Sequence, residues 1–201
     1  MSVRLLSGIF RGMDVETPPG EATRPTSSRV RAAALNALQT ELGGAAVLEL
    51  CAGSGAVGIE MLSRGARGAV FVERSKVALG VLRRNIRQVR ERAIKQDVQI
   101  DPLDVRGESA QDAVRALVDS GATFEICWLD PPYAEAAALV RELAPGLSQI
   151  LVPGGIWVVE TSSETTPLEE ARTVCPGEVW SDWRTKDYGK TRLSMLTRCH
   201  T

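Results

Sequence analysis

Glu49-Leu50-Cys51-Ala52-Gly53-Ser54-Gly55-Ala56-Val57-Gly58 ends an apolar run that starts at Ala45 and opens a segment of helical character. Strand, glycine turn and helix in that order form a ligand cradle. Gly53 and Gly55 let the backbone approach a ligand, Gly58 permits close packing of the helix, and the first turn of the helix presents N–H groups to an anion. Such turns serve nucleotides, flavins and S-adenosylmethionine alike, so the loop fixes a fold class before it fixes a ligand.

Working outward, the chain alternates between the two periodicities. Ala69 to Val72 reads as the next strand, ending at Glu73. Lys76 to about Glu91 reads as a basic helix, Val98 to Ile100 as a strand, Ser109 to Val118 as a helix and Phe124 to Leu129 as a strand. After Tyr133, Ala136 to Leu143 suits a helix interrupted at Pro145-Gly146. Pro153-Gly154-Gly155 turns the chain into a strand at Ile156 to Val159. Glu160 to Glu170 reads as a surface connection. Val179 to Arg184 and Leu193 to Thr197 suit a hairpin around Tyr188-Gly189. The pattern is that of an α/β sheet with helices on both faces.

Upstream of the loop, Val3 to Leu6 and Met13 to Val15 read as a short ribbon with turns at Gly8 and Gly12. A two-stranded ribbon does not stand alone in water and must pack on the domain or on a substrate. Ser28 to Gln39 reads as a helix. Residues 1–20 are therefore expected to form a hairpin extension and residues 21–201 the main domain, a division suited to a chain of 201 residues.

The second decisive motif is Asp130-Pro131-Pro132-Tyr133, placed at the end of the strand Phe124 to Leu129. A carboxylate, backbone carbonyls that the prolines hold in place, and an aromatic ring can hold a planar base by its amino group. The residues can also be read as a loop hydrogen bond, a strand terminator and a packing ring. Their adjacency after the glycine loop and Glu73 favours methyl transfer to an amino group on a base. S-adenosylmethionine fits the loop, with Glu49, Cys51, Gly53, Ser54 and Gly55 lining it, Glu73 placed to accept both ribose hydroxyls, and Arg74 beside it. NAD is the rival cofactor. The strand-end Glu49 and the lack of an evident hydride-transfer pair count against it.

A formal net charge of −1 excludes a strongly polybasic protein but leaves room for a local basic face, and 20 of the 24 basic residues are arginine. Cys51, Cys127, Cys175 and Cys199 are widely spaced beside a single histidine, which suits reduced cysteines and no metal site. With no signal-peptide core and no apolar run of membrane-spanning length, a soluble cytoplasmic protein without membrane contact is expected.

Over nearly its whole length the chain resembles the bacterial 16S ribosomal RNA guanine-N2 methyltransferase family, the RsmD family. The resemblance rests on Arg4-Leu5-Leu6-Ser7-Gly8 with Arg11-Gly12, Arg24-Pro25-Thr26, Arg29-Val30-Arg31 with Asn36, the glycine loop, Asp130-Pro131-Pro132-Tyr133 and Tyr188-Gly189-Lys190-Thr191. It implies a seven-stranded, Rossmann-like S-adenosylmethionine-dependent methyltransferase domain with an N-terminal β-hairpin. The implied reaction is methylation of a guanine exocyclic amine in 16S ribosomal RNA.

The resemblance further implies an assembled or partly assembled small subunit as substrate and contacts to small-subunit proteins; the chain is expected to act as a monomer. Asp130 and the Pro131 or Pro132 carbonyl would orient the amine, and Tyr133 would stack on the base. Arg4, Arg11, Arg24, Arg29, Arg31, Asn36, Lys186 and Lys190 would face RNA. Asp101-Pro102-Leu103-Asp104 departs from the family pattern and leaves the adenine-edge residue open between Asp101 and Asp104. Asp104 is preferred because it lies nearer the next helix. The alternatives are a non-catalytic RNA-binding or subunit-assembly protein with a vestigial pocket, and amino methylation of DNA or of a protein glutamine.

Overall fold

The computed structural model describes residues 1–19, 28–177 and 179–199, with only the backbone of Ser28 and Arg29. The chain divides into two compact units, Met1–Glu108 and Ser109–Thr201. Its seven strands β3 to β9 form a mostly parallel sheet, and β1 and β2 form a separate ribbon.

In the first unit β1 (Ser2–Arg4) and β2 (Asp14–Glu16) pair antiparallel, Val3 opposite Val15. α1 (Ser28–Ala37) follows. β3 (Ala46–Leu50), α2 (Ala56–Ser63), β4 (Gly68–Val72), α3 (Lys76–Lys95) and β5 (Leu103–Arg106) then make two parallel crossover units with strand order β5-β4-β3. β3 and β4 are buried along their full length, as expected of apolar parallel strands covered on both faces.

The ribbon is docked onto this unit. Leu5, Phe10, Met13 and Val15 are buried, and the ribbon's connecting loop closes over the end of α2. Ile9 N–H donates to Ser63 O at 2.7 Å, Phe10 N–H to Ser63 Oγ at 2.8 Å, and Ser63 Oγ–H to Ser7 O at 2.6 Å. The approach is so close that a Cβ at Gly8 would lie 1.7 Å from the Ser63 carbonyl oxygen. The loop thus satisfies a terminal helix carbonyl that would otherwise lack a partner.

One strand differs from the sequence expectation. Val98 to Ile100 does not pair; the strand begins at Leu103. Val98 N–H instead closes the end of α3 by donating to Ala93 O at 2.9 Å, after Asp97 turns left-handed at φ 53°. Pairing with β4 starts only where the chain crosses Gly68, with Ala69 N–H donating to Pro102 O at 2.7 Å. A helix terminus claimed Val98 before the sheet could.

The second unit holds α4 (Ala110–Asp119), β6 (Phe124–Leu129), α5 (Tyr133–Ile150), β7 (Leu151–Ser162), α6 (Pro167–Val174), β8 (Trp180–Tyr188) and β9 (Thr191–Arg198). The strand order is β6-β7-β9-β8, with β6 and β7 parallel and the other pairs antiparallel. Pro145-Gly146 does not interrupt α5. Ser148 Oγ and Gln149 Nε2 both donate to Pro145 O, at 2.7 and 3.2 Å, and Gly146 fits a contact where a Cβ would lie 2.4 Å from Val114 Cγ1. Packing against α4 offsets the propensity penalty at these two positions.

The expected surface connection Glu160 to Glu170 is also shorter than its polarity suggested. Glu160 and Thr161 are buried in β7, because β9 pairs with β7 as far as Ser162 opposite Thr191, and α6 takes up the rest.

Candidate functional site

In the first unit the chain leaves β3 through three left-handed residues, Cys51 (φ 58°), Gly53 (φ 55°) and Gly55 (φ 77°), before α2 begins. Ala52 N–H donates to Val72 O at 2.9 Å, so the loop hangs from the end of β4. An added Cβ at Gly53 would meet nothing within 4 Å. The loop therefore opens onto space at Gly53.

Glu49 and Glu73 hold this loop from two sides. Buried Glu49 accepts from Gly58 N–H at 2.9 Å, so it shapes the strand-to-helix turn from within. Glu73, 8% exposed, accepts from Gly53 N–H at 2.7 Å through Oε2 and from Ser75 N–H at 2.7 Å through Oε1. Each carboxylate oxygen keeps acceptor capacity beyond one bond, so ribose hydroxyls can still be met at the strand end. Arg74 is exposed beside it and Ser54 is half-buried.

Asp104, preferred for lying nearer the next helix, is not at the carboxyl end of its strand. It lies inside β5 opposite Val70, and its carboxylate pairs with Arg106 Nε at 3.0 Å. Asp101 is farther back, its N–H donating to Arg67 O at 2.8 Å. The residues level with Glu73 are Arg106, which accepts Glu73 N–H at 3.0 Å, and Gly107-Glu108 beyond it. Strand pairing places these, and not either aspartate, at the carboxyl end; Gly107, just past the strand, was the available signal.

Asn85 is the other residue that sequence reasoning missed. Fully buried on α3, its amide accepts from Glu16 N–H at 3.0 Å and donates to Glu16 O and Ser54 O, both at 2.9 Å. It joins the base of the ribbon to the glycine loop. A polar residue in the apolar face of a helix was the sign of it.

In the second unit Asp130 and buried Pro131 follow the end of β6, Pro132 caps α5, and Tyr133 is its first residue. Pro132 O accepts from Glu135 N–H at 2.9 Å as the helix starts, which leaves the Pro131 carbonyl as the better placed of the two for a ligand. Tyr133 is 41% exposed and its hydroxyl shares a 2.7 Å hydrogen bond with Thr191 Oγ1. The terminal Tyr188-Gly189-Lys190-Thr191 stretch therefore fixes the Tyr133 ring, a role that reading the sequence did not give Thr191.

The arginine set is dispersed. Arg4 is exposed and pairs with Asp14 at 3.3 Å, and Arg11 is exposed on the ribbon loop. Arg24 lies outside the described residues, as does the Arg29 side chain. Arg31 is corrected. It is 1% exposed, with Nε donating to Glu60 at 2.8 Å and Nη2 donating to Arg4 O at 3.2 Å. Its guanidinium braces the ribbon against α2, because Glu60 and the strand carbonyl meet it before any solvent can. Asn36 accepts from Arg64 Nη1 at 2.8 Å. Lys186 and Lys190 are exposed on the β8–β9 hairpin, Lys186 lying 5.4 Å from the Tyr188 ring centroid.

Among the described residues no cluster could hold a metal ion, and no helix is long and apolar enough to cross a membrane. The described cysteines form no disulfide.

YlbH of Bacillus subtilis is 32% identical over 133 residues, 66% of this chain and 68% of that one. The ribosomal RNA small subunit methyltransferase D of Haemophilus influenzae is 27% identical over 167 residues, 81% of this chain and 80% of its own. Among solved structures, the Escherichia coli protein yhhF superposes over the whole of both chains with TM-score 0.79 and 26% identity. The Thermus thermophilus 16S rRNA N2 G1207 methyltransferase RsmC, in complex with AdoMet and guanosine, shares the fold at TM-score 0.68 and 19% identity, the match spanning half of its chain. The model of the family described as conserved hypothetical protein 95 matches residues 3–197, and the chain belongs to that family, the RsmD family.

Proposed function

We propose that this protein is an S-adenosylmethionine-dependent ribosomal RNA methyltransferase acting on the exocyclic N2 amine of a guanine in 16S RNA of the small subunit. The observation that carries the reading is the pairing of an open glycine loop with Asp130-Pro131-Pro132-Tyr133 in a chain of this family. The relatives named as ribosomal RNA small subunit methyltransferases support the substrate class.

The loop fits the cofactor. Gly53 is left-handed and opens onto space that a side chain would fill, and Glu73 stands at the adjoining strand end with carboxylate oxygens for a ribose. When bound, the cofactor supplies a methyl group made electrophilic by its sulfonium. Gly53 and Gly55 bring backbone up to it, the start of α2 presents N–H groups to its carboxylate, and Glu73 fixes its sugar.

The chemistry left to the acceptor residues is orientation. Guanine N2 is a poor nucleophile because its lone pair is delocalised into the ring. Asp130 and the Pro131 carbonyl accept its two N–H groups, turn the lone pair toward the methyl and stabilise the positive charge that grows on nitrogen. Tyr133, held by Thr191, stacks on a base drawn out of its RNA surroundings. Proton loss follows methyl transfer, since a carboxylate is too weak a base to precede it.

Small ribosomal subunits lacking the modification, incubated with the protein and saturating cofactor, should yield N2-methylguanosine on nucleoside mass spectrometry. Naked 16S RNA should be the poorer substrate. Binding of cofactor and subunits without any methylated nucleoside would favour the assembly-protein alternative; a methylated base other than guanine would overturn the specificity.

A further inference from the structure

Helix α3 carries seven basic residues against one acidic, in a chain whose formal charge is −1, so the rest of the chain is net −7. The cations are not spread around the helix. Arg83, Arg87 and Arg90 follow at spacings of four and three, which puts them on one face, and Lys76 lies two turns earlier on the same line. All four are exposed, and at 1.5 Å per residue the stripe is about 20 Å long. The flanking face, with Leu82, Ile86 and Val89, is buried in the core.

Ordinary surface charge does not account for this stripe. Among the described residues none of Lys76, Arg83 and Arg87 has an acidic partner, whereas Arg84 on the neighbouring face pairs with Glu16 at 3.0 Å. Arg83 with Arg87, and Arg87 with Arg90, are like charges at helical contact spacings, which weakens a helix. Arg90 Nη2 donates to the Leu103 carbonyl at 2.6 Å, but among the described residues no carboxylate meets Lys76, Arg83 or Arg87. A ligand of opposite charge would.

We infer that the Lys76–Arg83–Arg87–Arg90 face of α3 is a docking track for the phosphate backbone of an RNA segment flanking the methylated guanine. This rests on the function proposed above and extends its substrate contact to an element outside both motifs. The track starts at the right place: Lys76 opens α3 just after Glu73, and the Arg83 guanidinium lies 3.8 Å from where a Cβ at Gly107 would stand, at the carboxyl end of β5. Arginine forks suit phosphate oxygens, and a stripe one residue wide suits a strand of phosphates. A membrane surface would instead require a continuous exposed apolar face, whereas α3 exposes Val77 and Ile94 near its two ends and buries its other large apolar residues.

The test is Lys76→Gln/Arg83→Gln/Arg87→Gln in the full chain, compared with Arg115→Gln/Arg141→Gln/Arg172→Gln, which removes the same charge from helices of the other unit. Binding to unmodified small subunits is measured by filter retention over a salt series. The track variant should bind at least tenfold more weakly, and its log–log salt slope should fall by about two, at roughly 0.7 per single-strand phosphate contact. Its KM for subunits should rise while kcat and calorimetric cofactor affinity stay near wild type.

Equal affinity and slope in wild type and track variant would overturn the inference while leaving the methylation reading intact. Equal losses in the two variants would reduce the effect to net charge and also overturn it. Loss of retention on anionic lipid vesicles alone, with RNA binding unchanged, would reassign the face to membranes. Track-dependent RNA binding by a protein that makes no N2-methylguanosine would uphold the track and remove the proposed reaction.

Discussion

Asn85 and Glu16, 69 positions apart in the chain, exchange two hydrogen bonds in opposite directions, and the same Asn85 amide reaches the carbonyl of Ser54 in the glycine loop. A single buried side chain thus substitutes for a strand partner at the base of the ribbon while pinning the cofactor loop. Glu73 pins the same loop one residue away, on Gly53 N–H. Asn85→Ala leaves one N–H and two carbonyls without these partners, so unfolding free energy in urea should fall by about 2 kcal/mol or more. Cofactor affinity should fall with it, because the loop loses one of its side-chain ties. Wild-type stability together with wild-type cofactor affinity would show that the link carries no load.

Gly53 has a left-handed backbone and nothing within 4 Å of an added Cβ. Gly53→Val should therefore remain folded, at a strain cost of roughly 1–2 kcal/mol, while its side chain occupies the space assigned to the cofactor. Calorimetry should detect no S-adenosylmethionine binding to the folded variant. Undiminished binding would remove the loop from the site.

Much of this was legible from the chain. Phe124–Leu129 and the positions of the glycine loop and Asp130 followed from period and turn chemistry alone, because a buried parallel strand is an apolar run between breakers. What escaped depended on contacts distant in sequence. Val98 was drawn to the end of α3, α5 ran through Pro145-Gly146 because α4 packs there, and Glu160 was buried by pairing with β9. The site divided in the same way. Motif residues could be named, but Thr191 behind Tyr133 and Asn85 behind the loop act through partners that no local pattern announces. Arg31 was legible as a cation and illegible as a buried one, since Glu60 is 29 positions away.

Asp130→Ala should keep the fold and the cofactor affinity but lose about 3 kcal/mol of transition-state stabilisation, on the order of a hundredfold in single-turnover rate. Tyr133→Phe keeps the ring and loses the Thr191 hydrogen bond, so its effect should fall well short of that of Tyr133→Ala, and Thr191→Val should match it. Rapid-quench methyl transfer on small subunits separates these. A Tyr133→Ala protein as fast as Tyr133→Phe would show that stacking contributes nothing.

The β8–β9 hairpin should respond to acid. The hydrogen bond from Arg192 and its positive charge hold Asp187 below the usual carboxylate range, and the same partnership raises Arg192. A depressed folded pKa means that the stabilisation is present above the unfolded value and is lost as pH falls through the folded one. The melting-temperature difference between wild type and Asp187→Asn should therefore be small, constant near neutrality, and vanish below the carboxylate range. A difference that persists there would assign the effect to something other than this pair.

Arg31 and Arg11 should separate stability from recognition. Arg31 and Glu60 are buried, and Arg64 meets the second Glu60 oxygen at 3.1 Å, so the carboxylate sits between two guanidiniums out of contact with water. Arg31→Ala removes one of them and also the donor to Arg4 O, leaving polar groups buried without their partner. Loss of a member of such a set costs about 3–5 kcal/mol. The ribbon should loosen first, because Arg31 is what ties β1 to α2. Arg11→Ala, on an exposed loop residue, should leave urea stability within about 0.5 kcal/mol and weaken subunit binding with a reduced salt slope. Paired denaturation and salt-dependent binding measurements on the two variants decide the matter: a stable Arg31→Ala protein with impaired RNA binding would return Arg31 to the RNA-facing set and contradict the buried position.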